Sequence, residues 1–361
     1  MRDQNSANMM IIGPTHRTTA QLAAQSCNSP THWFGISRFV FCGFICGLIG
    51  GCSGSGVLDS RPAGVDKYID GVNQNNTGDR AGAIHSFNEA IRVNPSLRMA
   101  HIRLGYLYRQ QGDYSDAAAQ YEIATRLDPY SSDNSSNLGL CYQVLHRLED
   151  SAAAYLRALD LQPSNVQANM NLGLVYLSLG QPKDAQPYLK KATQLAPKSA
   201  DAWSNYGVGL DAVGRLSDAE NAYREAMELS TGSAVILENL AANLIAQRKA
   251  QEALEASQQL LLRSDTALSR TRYGQALFLS GQIDAALQQY KLALQSDPRF
   301  YLAMTEEGFL LIDEYRRGLE LDEPKREAAM ALWGASLRIN PDQPRALAAV
   351  QQWQSSQLYG K

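Results

Sequence analysis

Asn137, Asn171, Asn205 and Asn239 stand 34 residues apart each time. A carboxamide carries two donors and an acceptor, so a row of them can pair with both the N–H and the C=O of an extended peptide. Each such bond nets only about 0.5–1.5 kcal/mol, so the row would have to act collectively and would read backbone rather than side chains. The same place holds Ile69 and Arg103 before the row, and Arg272 and Glu306 after it. Asp133, Gln143, Gln167, Asp201, Ser204 and Asp211 make the surroundings polar and mildly acidic, while Arg103 and Arg109 give a basic start. The candidate partner-binding set is therefore Asn137, Asn171, Asn205, Asn239, Arg103, Arg109, Gln143 and Asp201. The competing reading is structural: a polar side chain that touches the neighbouring helix.

Other chemistry is sparse. His16, His32, His85, His101 and His146 are dispersed, with no pair at i, i+4 and no Cys/His/carboxylate cluster at metal-ligand spacing. No phosphate loop and no Gly-x-Ser-x-Gly elbow occurs, so no catalytic residue, metal or enzyme activity is expected. The formal net charge is −3, which leaves no general basic footprint for nucleic acid. Of five cysteines, Cys27, Cys42 and Cys46 fall early, followed by Cys52, and Cys141 alone lies later. Cys141 reads as a small buried thiol.

The elements that would carry the row follow from two more periodicities. Pro95, Pro129, Pro163 and Pro197 keep the 34-residue step, as do Gly71, Gly105, Gly139, Gly173 and Gly207. In residues 200–233, Trp203, Tyr206, Gly207 and Leu210 share one helical face, Gly214 interrupts, and Ala219, Ala222, Tyr223 and Ala226 share another. Gly207 and Ala219 let the helices approach, Trp203 and Tyr223 fill the volume left, and proline ends most units.

These residues resemble the tetratricopeptide repeat: Trp-x2-Leu-Gly-x2-Tyr, then Ala, an aromatic, Ala and Pro. The resemblance runs from residue 64 to the C-terminal region. It implies an all-α solenoid of about eight helix-turn-helix units over 64–342, with a C-terminal capping helix and tail over 343–361. It also implies that the first helix of each pair lines a concave groove. The asparagine row there is similar to the ladder in the repeats of O-linked N-acetylglucosamine transferase. The lysine of the carboxylate clamp found in chaperone-binding repeats has no counterpart, since Tyr68, Ile102, Ser136 and Met170 occupy its place. Unit six departs most, with Arg248 where a glycine usually turns the chain and Ser257 at the aromatic position. Unit eight carries an insertion around residues 316–325, expected as a lengthened first helix and polar loop, or else as a partner-contacting elbow.

The start of the chain reads differently. Residues 39–51 are apolar, follow Arg38, and are too few for a stable span. Ile49-Gly50-Gly51-Cys52 resembles a bacterial lipobox. That implies a signal peptide over 1–51, a lipidated tether over 52–63, and a covalent lipid on Cys52, with an uncleaved anchor as the alternative. The resemblance to tetratricopeptide lipoproteins implies an outer-membrane scaffold facing the periplasm that binds a protein or extended peptide and supports a pilus, secretion or other envelope complex. The alternative is a substrate-recruiting subunit for an envelope glycosyltransferase, polysaccharide export or peptidoglycan synthesis.

Overall fold

The computed structural model describes residues 62–318 and 322–359. The expected leader, Cys52 and nearly all of the tether lie outside the described residues. These residues form seventeen helices in two compact blocks, which meet in sequence between Val175 and Tyr176. The first block holds α1 (Val65–Asn76), α2 (Arg80–Val93), α3 (Arg98–Gln111), α4 (Tyr114–Leu127), α5 (Ser132–Val144), α6 (Leu148–Leu161) and most of α7 (Val166–Ser178). The second holds α8 (Pro182–Leu195), α9 (Ala200–Ala212), α10 (Leu216–Leu229), α11 (Ala234–Ala246), α12 (Ala250–Arg263), α13 (Ala267–Leu279), α14 (Ile283–Ser296), α15 (Tyr301–Arg317), α16 (Glu323–Ile339) and α17 (Pro344–Tyr359). Sixteen helices alternate as eight helix-turn-helix pairs and α17 follows as a terminal helix: an all-α repeat solenoid with its cap.

Local chemistry sets the starts of the four central first helices. Ser131, Asn165, Ser199 and Ser233 accept the backbone N–H three residues on, at Asn134, Ala168, Ala202 and Ile236. Each such N-cap stabilises its helix by about 1 kcal/mol. These caps are also 34 residues apart, a period hidden in the serine and asparagine content. Between the helices of a pair the chain takes a left-handed residue. Gly214 does so at φ 77, and His146 and Arg248 do so without glycine's freedom, at φ 57 and 59.

Packing follows the small-against-large rule. A Cβ on Gly207 would lie 2.5 Å from the ring of Tyr223, a side chain only 1% exposed. In unit six both members change: Ala241 faces the shorter Ser257, and both are fully buried. The Ser257 hydroxyl has no hydrogen-bond partner among the described residues. The period slips after this unit because only residues 264–266 separate α12 from α13, where 230–233 separate α10 from α11. Thr266 and Ser269 cap the start of α13 reciprocally.

The unit-eight insertion lengthens both helices. α15 and α16 have 17 residues each, against 13 and 14 in the preceding pair. The added turn is used internally: Tyr315 meets Trp353 of α17 edge-on at 5.8 Å, and Arg316 lies 5.2 Å over the same ring. Tyr315 also donates to Glu323 at 3.0 Å, and Lys325 pairs with Glu314 at 3.1 Å. Ala346, Ala349 and Trp353 of α17 close the core around Trp333.

Candidate functional site

The expected binding residues sit on first helices; Arg103 and the four asparagines stand two residues before the small residue of their unit, while Arg109, Gln143 and Asp201 lie elsewhere on the same helices. In the first block, Arg103 is exposed on α3. Arg109, two turns on, donates from Nη1 to Asn137 Oδ1 at 2.9 Å and lies 5.6 Å over the Tyr106 ring. Asn171 is only 2% exposed. Its Nδ2 donates to the Tyr155 hydroxyl at 3.0 Å, and Tyr155 donates to Gln143 Oε1 at 3.1 Å. Gln167 completes the chain by donating to Asn171 Oδ1 at 3.0 Å. The geometry thus places Asn171 and Gln143 in the seam between successive pairs, not on an open face. The physical reason is Tyr155: its ring lies on Gly139, and its buried hydroxyl requires polar partners from both first helices.

In the second block, Asp201 is exposed and Asn205 half-buried. The Asn205 carboxamide makes no hydrogen bond to a described side chain or backbone group. Asn239 donates to Ser204 Oγ at 3.3 Å. Asp211 accepts from the Tyr223 hydroxyl at 2.8 Å and from Asn243 Nδ2 at 2.5 Å. Burial pushes its carboxyl up to about 6, against the lowering effect of those two donors. Arg272, in line with the asparagines, lies 4.0 Å from Glu238, whose pKa is raised by burial and pulled back by that guanidinium. Glu306, next in the row, pairs with Arg345 of α17 at 3.6 Å.

The row therefore does not present four equivalent carboxamides. Arg109, Tyr155 with Gln167, and Ser204 engage Asn137, Asn171 and Asn239, while Asn205 is left with its full hydrogen-bonding capacity. Sequence reasoning missed Asn243 and the two tyrosine hydroxyls as polar partners. A signal did exist: Gln143 and Asp211 each stand twelve residues before a core tyrosine. Cys141 is fully buried, and burial pushes its thiol up to about 12, so it is an unreactive core residue. Among the described residues no group of three or more His, Cys, Asp or Glu could hold a metal ion, and no helix is long and apolar enough to cross a membrane.

Residues 76–132 and 170–234 match the family model of the tetratricopeptide repeat, and residues 146–180 match a second model of the TPR repeat. The matched segments are tetratricopeptide repeats, and the described helices continue that fold as one solenoid architecture. Solved structures share the fold at low identity. A tetratricopeptide repeat protein from Parabacteroides merdae is 17% identical over 74% of this chain and 98% of its own, with a TM-score of 0.54. The APC/C hetero-tetramer Cut9-Hcn1 is 13% identical over 76% of this chain and 52% of its own, at 0.55. Pseudomonas aeruginosa pilF is 20% identical over 57% of this chain and 94% of its own, at 0.50. No curated protein matches. A stack of tetratricopeptide units is a non-catalytic, protein-binding architecture, and the described residues add only the terminal helix to it.

Proposed function

We propose that this tetratricopeptide protein is a lipid-anchored scaffold of the bacterial envelope, on the outer membrane facing the periplasm, holding a protein or extended peptide along its first helices. Its work would be the assembly of a pilus, secretion or other envelope complex. Asn205 carries the binding part of the reading. It is a half-buried carboxamide on a first helix whose donors and acceptor are unused among the described residues, in a row where its counterparts are occupied. A buried polar group is normally satisfied, so one left open at a solvent-reachable place suits an incoming backbone. Support for the anchor comes from Ile49-Gly50-Gly51-Cys52 and the apolar run before it.

The test is affinity capture from the native envelope with the tagged full chain beside its Asn205→Ala variant, with bound proteins identified by mass spectrometry. A partner recovered by the parent and depleted in the well-folded variant supports the reading; identical recovery removes Asn205 from it. For the anchor, Cys52→Ala is expected to leave the precursor uncleaved and without fatty acid by intact-mass measurement. An acylated, processed product from that variant would refute lipidation at Cys52.

A further inference from the structure

A first helix turns one stripe toward the second helix of the pair before it. In α3 the stripe is Ala100, Leu104 and Leu107, at i, i+4 and i+7, none more than 2% exposed. Leu104 and Leu107 share a core with Ala83 and Phe87 of α2. Leu138 joins Ala117 and Tyr121 of α4 in the same way, and Leu240 joins Ala219 and Tyr223 of α10. The central position of the stripe is Leu104, Leu138, Leu172, Tyr206, Leu240 and Tyr273 in units two to seven. In α1 it is Asp70, which is exposed and has no pair before it among the described residues.

The eighth pair breaks this rule. Its stripe on α15 is Ala303, Glu307 and Leu310. Ala303 packs with Ala293 of α14, and Leu310 with Ala286 and Tyr290 of the same helix. Glu307 between them is only 8% exposed, and it makes no hydrogen bond or ion pair with a described residue. Burial raises its pKa above the ordinary carboxylate value, and the Lys291 ammonium of α14 pulls it back. Also on α14, Tyr290 is itself pushed well up by burial and stays neutral. Glu306, beside Glu307 on α15, is paired with Arg345 of α17. Among the described residues α13 and α16, which also pack on α15, bring no charge that acts on Glu307.

On its other side the eighth pair has a core of its own. Ile312, Tyr315 and Trp333 gather there with Ala346, Ala349 and Trp353 of α17. The Thr305 hydroxyl lies 2.6 Å from Ser336 Oγ of α16 and donates to Gln343 Oε1 at 2.7 Å. We propose that the eighth pair and α17 are one body, whose docking on the seventh pair is gated by a proton on Glu307. A neutral carboxyl can occupy a leucine-sized place at modest cost, whereas a buried carboxylate without a bonded partner draws water into the seam. The seam is therefore closed when Glu307 is neutral and loosened when it ionises. The folded group holds its proton more tightly than the unfolded one. Its contribution to stability is fully present below its ordinary value of 4.5 and is lost as pH rises through the higher folded value. The device needs neither Asn205 nor Cys52, so it goes beyond the scaffold reading and does not rest on it.

The test is hydrogen–deuterium exchange of the full chain, corrected for the intrinsic exchange rate, at about pH 5 and about pH 8. Peptides from α14 and α15 are expected to lose about tenfold in protection at the higher pH, as when one buried polar group is left unpaired. Peptides from α16 and α17 should lose less, because their core does not contain Glu307. Glu307→Leu, which restores the side chain of four other units, is expected to keep α14 and α15 equally protected at both pH values. Glu307→Gln, uncharged and of nearly the same shape, should also abolish the pH dependence, and it serves if leucine does not fit. Peptides from α9 and α11 report the titration of Asp211 separately. A parent without pH dependence in α14 and α15, or a folded variant that keeps it, overturns the proposal. So does a loss in α16 and α17 as large as that in α15, since the eighth pair and α17 would then not move as one body.

Discussion

Gln143 and Asp211 hold the same repeat position two units apart, one in each block, and each accepts a hydrogen bond from the tyrosine twelve residues later. The first is a neutral amide in a chain of amides and a hydroxyl. The second is a carboxyl that burial pushes up to about 6. Similar partners and similar places therefore give one polar seam that is indifferent to pH and another that is not. At the position of the asparagine row the blocks also differ: Arg103 has no carboxylate partner among the described residues, whereas Arg272 faces Glu238 and Glu306 pairs with Arg345. A repeat architecture keeps the tyrosine fixed, because a ring must lie against the small residue, but leaves the group that receives its hydroxyl free to vary.

The largest expected effect tests that contrast. The folded Asp211 carboxyl holds its proton more tightly than the unfolded one, whose ordinary value is 3.8. Its contribution to stability is therefore fully present below 3.8 and is lost as pH rises through about 6. The shift corresponds to roughly 3 kcal/mol between those limits. Asp211→Asn should flatten the pH dependence of denaturant unfolding over that window. Gln143→Glu should install a similar dependence in the first block and cost about 1–3 kcal/mol at neutral pH. An unaltered pH profile in both variants would erase the distinction between the seams.

The next effect separates members of the asparagine row. Asn171→Ala removes a partner of the buried Tyr155 hydroxyl and should cost about 1–3 kcal/mol in chemical denaturation. Asn205→Ala breaks no described hydrogen bond and should stay within about 0.5 kcal/mol of the parent. Equal costs at the two sites would mean that the seam in the first block is no tighter than the face in the second. The smallest effect is one the blocks should share. His146 and Arg248, one in each, carry positive φ at the intra-pair turn. Replacing either by glycine should stabilise by about 1 kcal/mol, since the left-handed conformation costs a Cβ-bearing residue about that much. A gain at only one would show that the other turn is compensated by its contacts.

Much of the fold was legible because a helical pair is a local object. Gly207 twelve to sixteen residues from Ala219 and Tyr223 announces close approach within one unit, and the insertion near residue 316 announces a longer first helix. The lengthened α16 was less visible, because residues 323–328 carry no apolar period of their own and are ordered through Tyr315 and Glu314. The candidate site was legible in position but not in availability. Asn171 and Asn205 hold the same repeat position; Gln167, one turn before Asn171, is a local partner that Asp201 does not replace, but the Tyr155 hydroxyl over Asn171 comes from the unit before.

The sequence by itself determined the repeat: its 34-residue step, its two helices, its glycine-on-aromatic contact and the capped starts of its four central first helices. Each depends on residues within a single unit, where backbone geometry fixes distance. Only the tertiary structure decided which row members are occupied. Arg109 reaches Asn137 across 28 positions and Ser204 meets Asn239 across 35, so these partners come from neighbouring units. Such contacts depend on how one pair stacks on the next and on which rotamer a long side chain can then adopt, and no spacing rule along the chain encodes either.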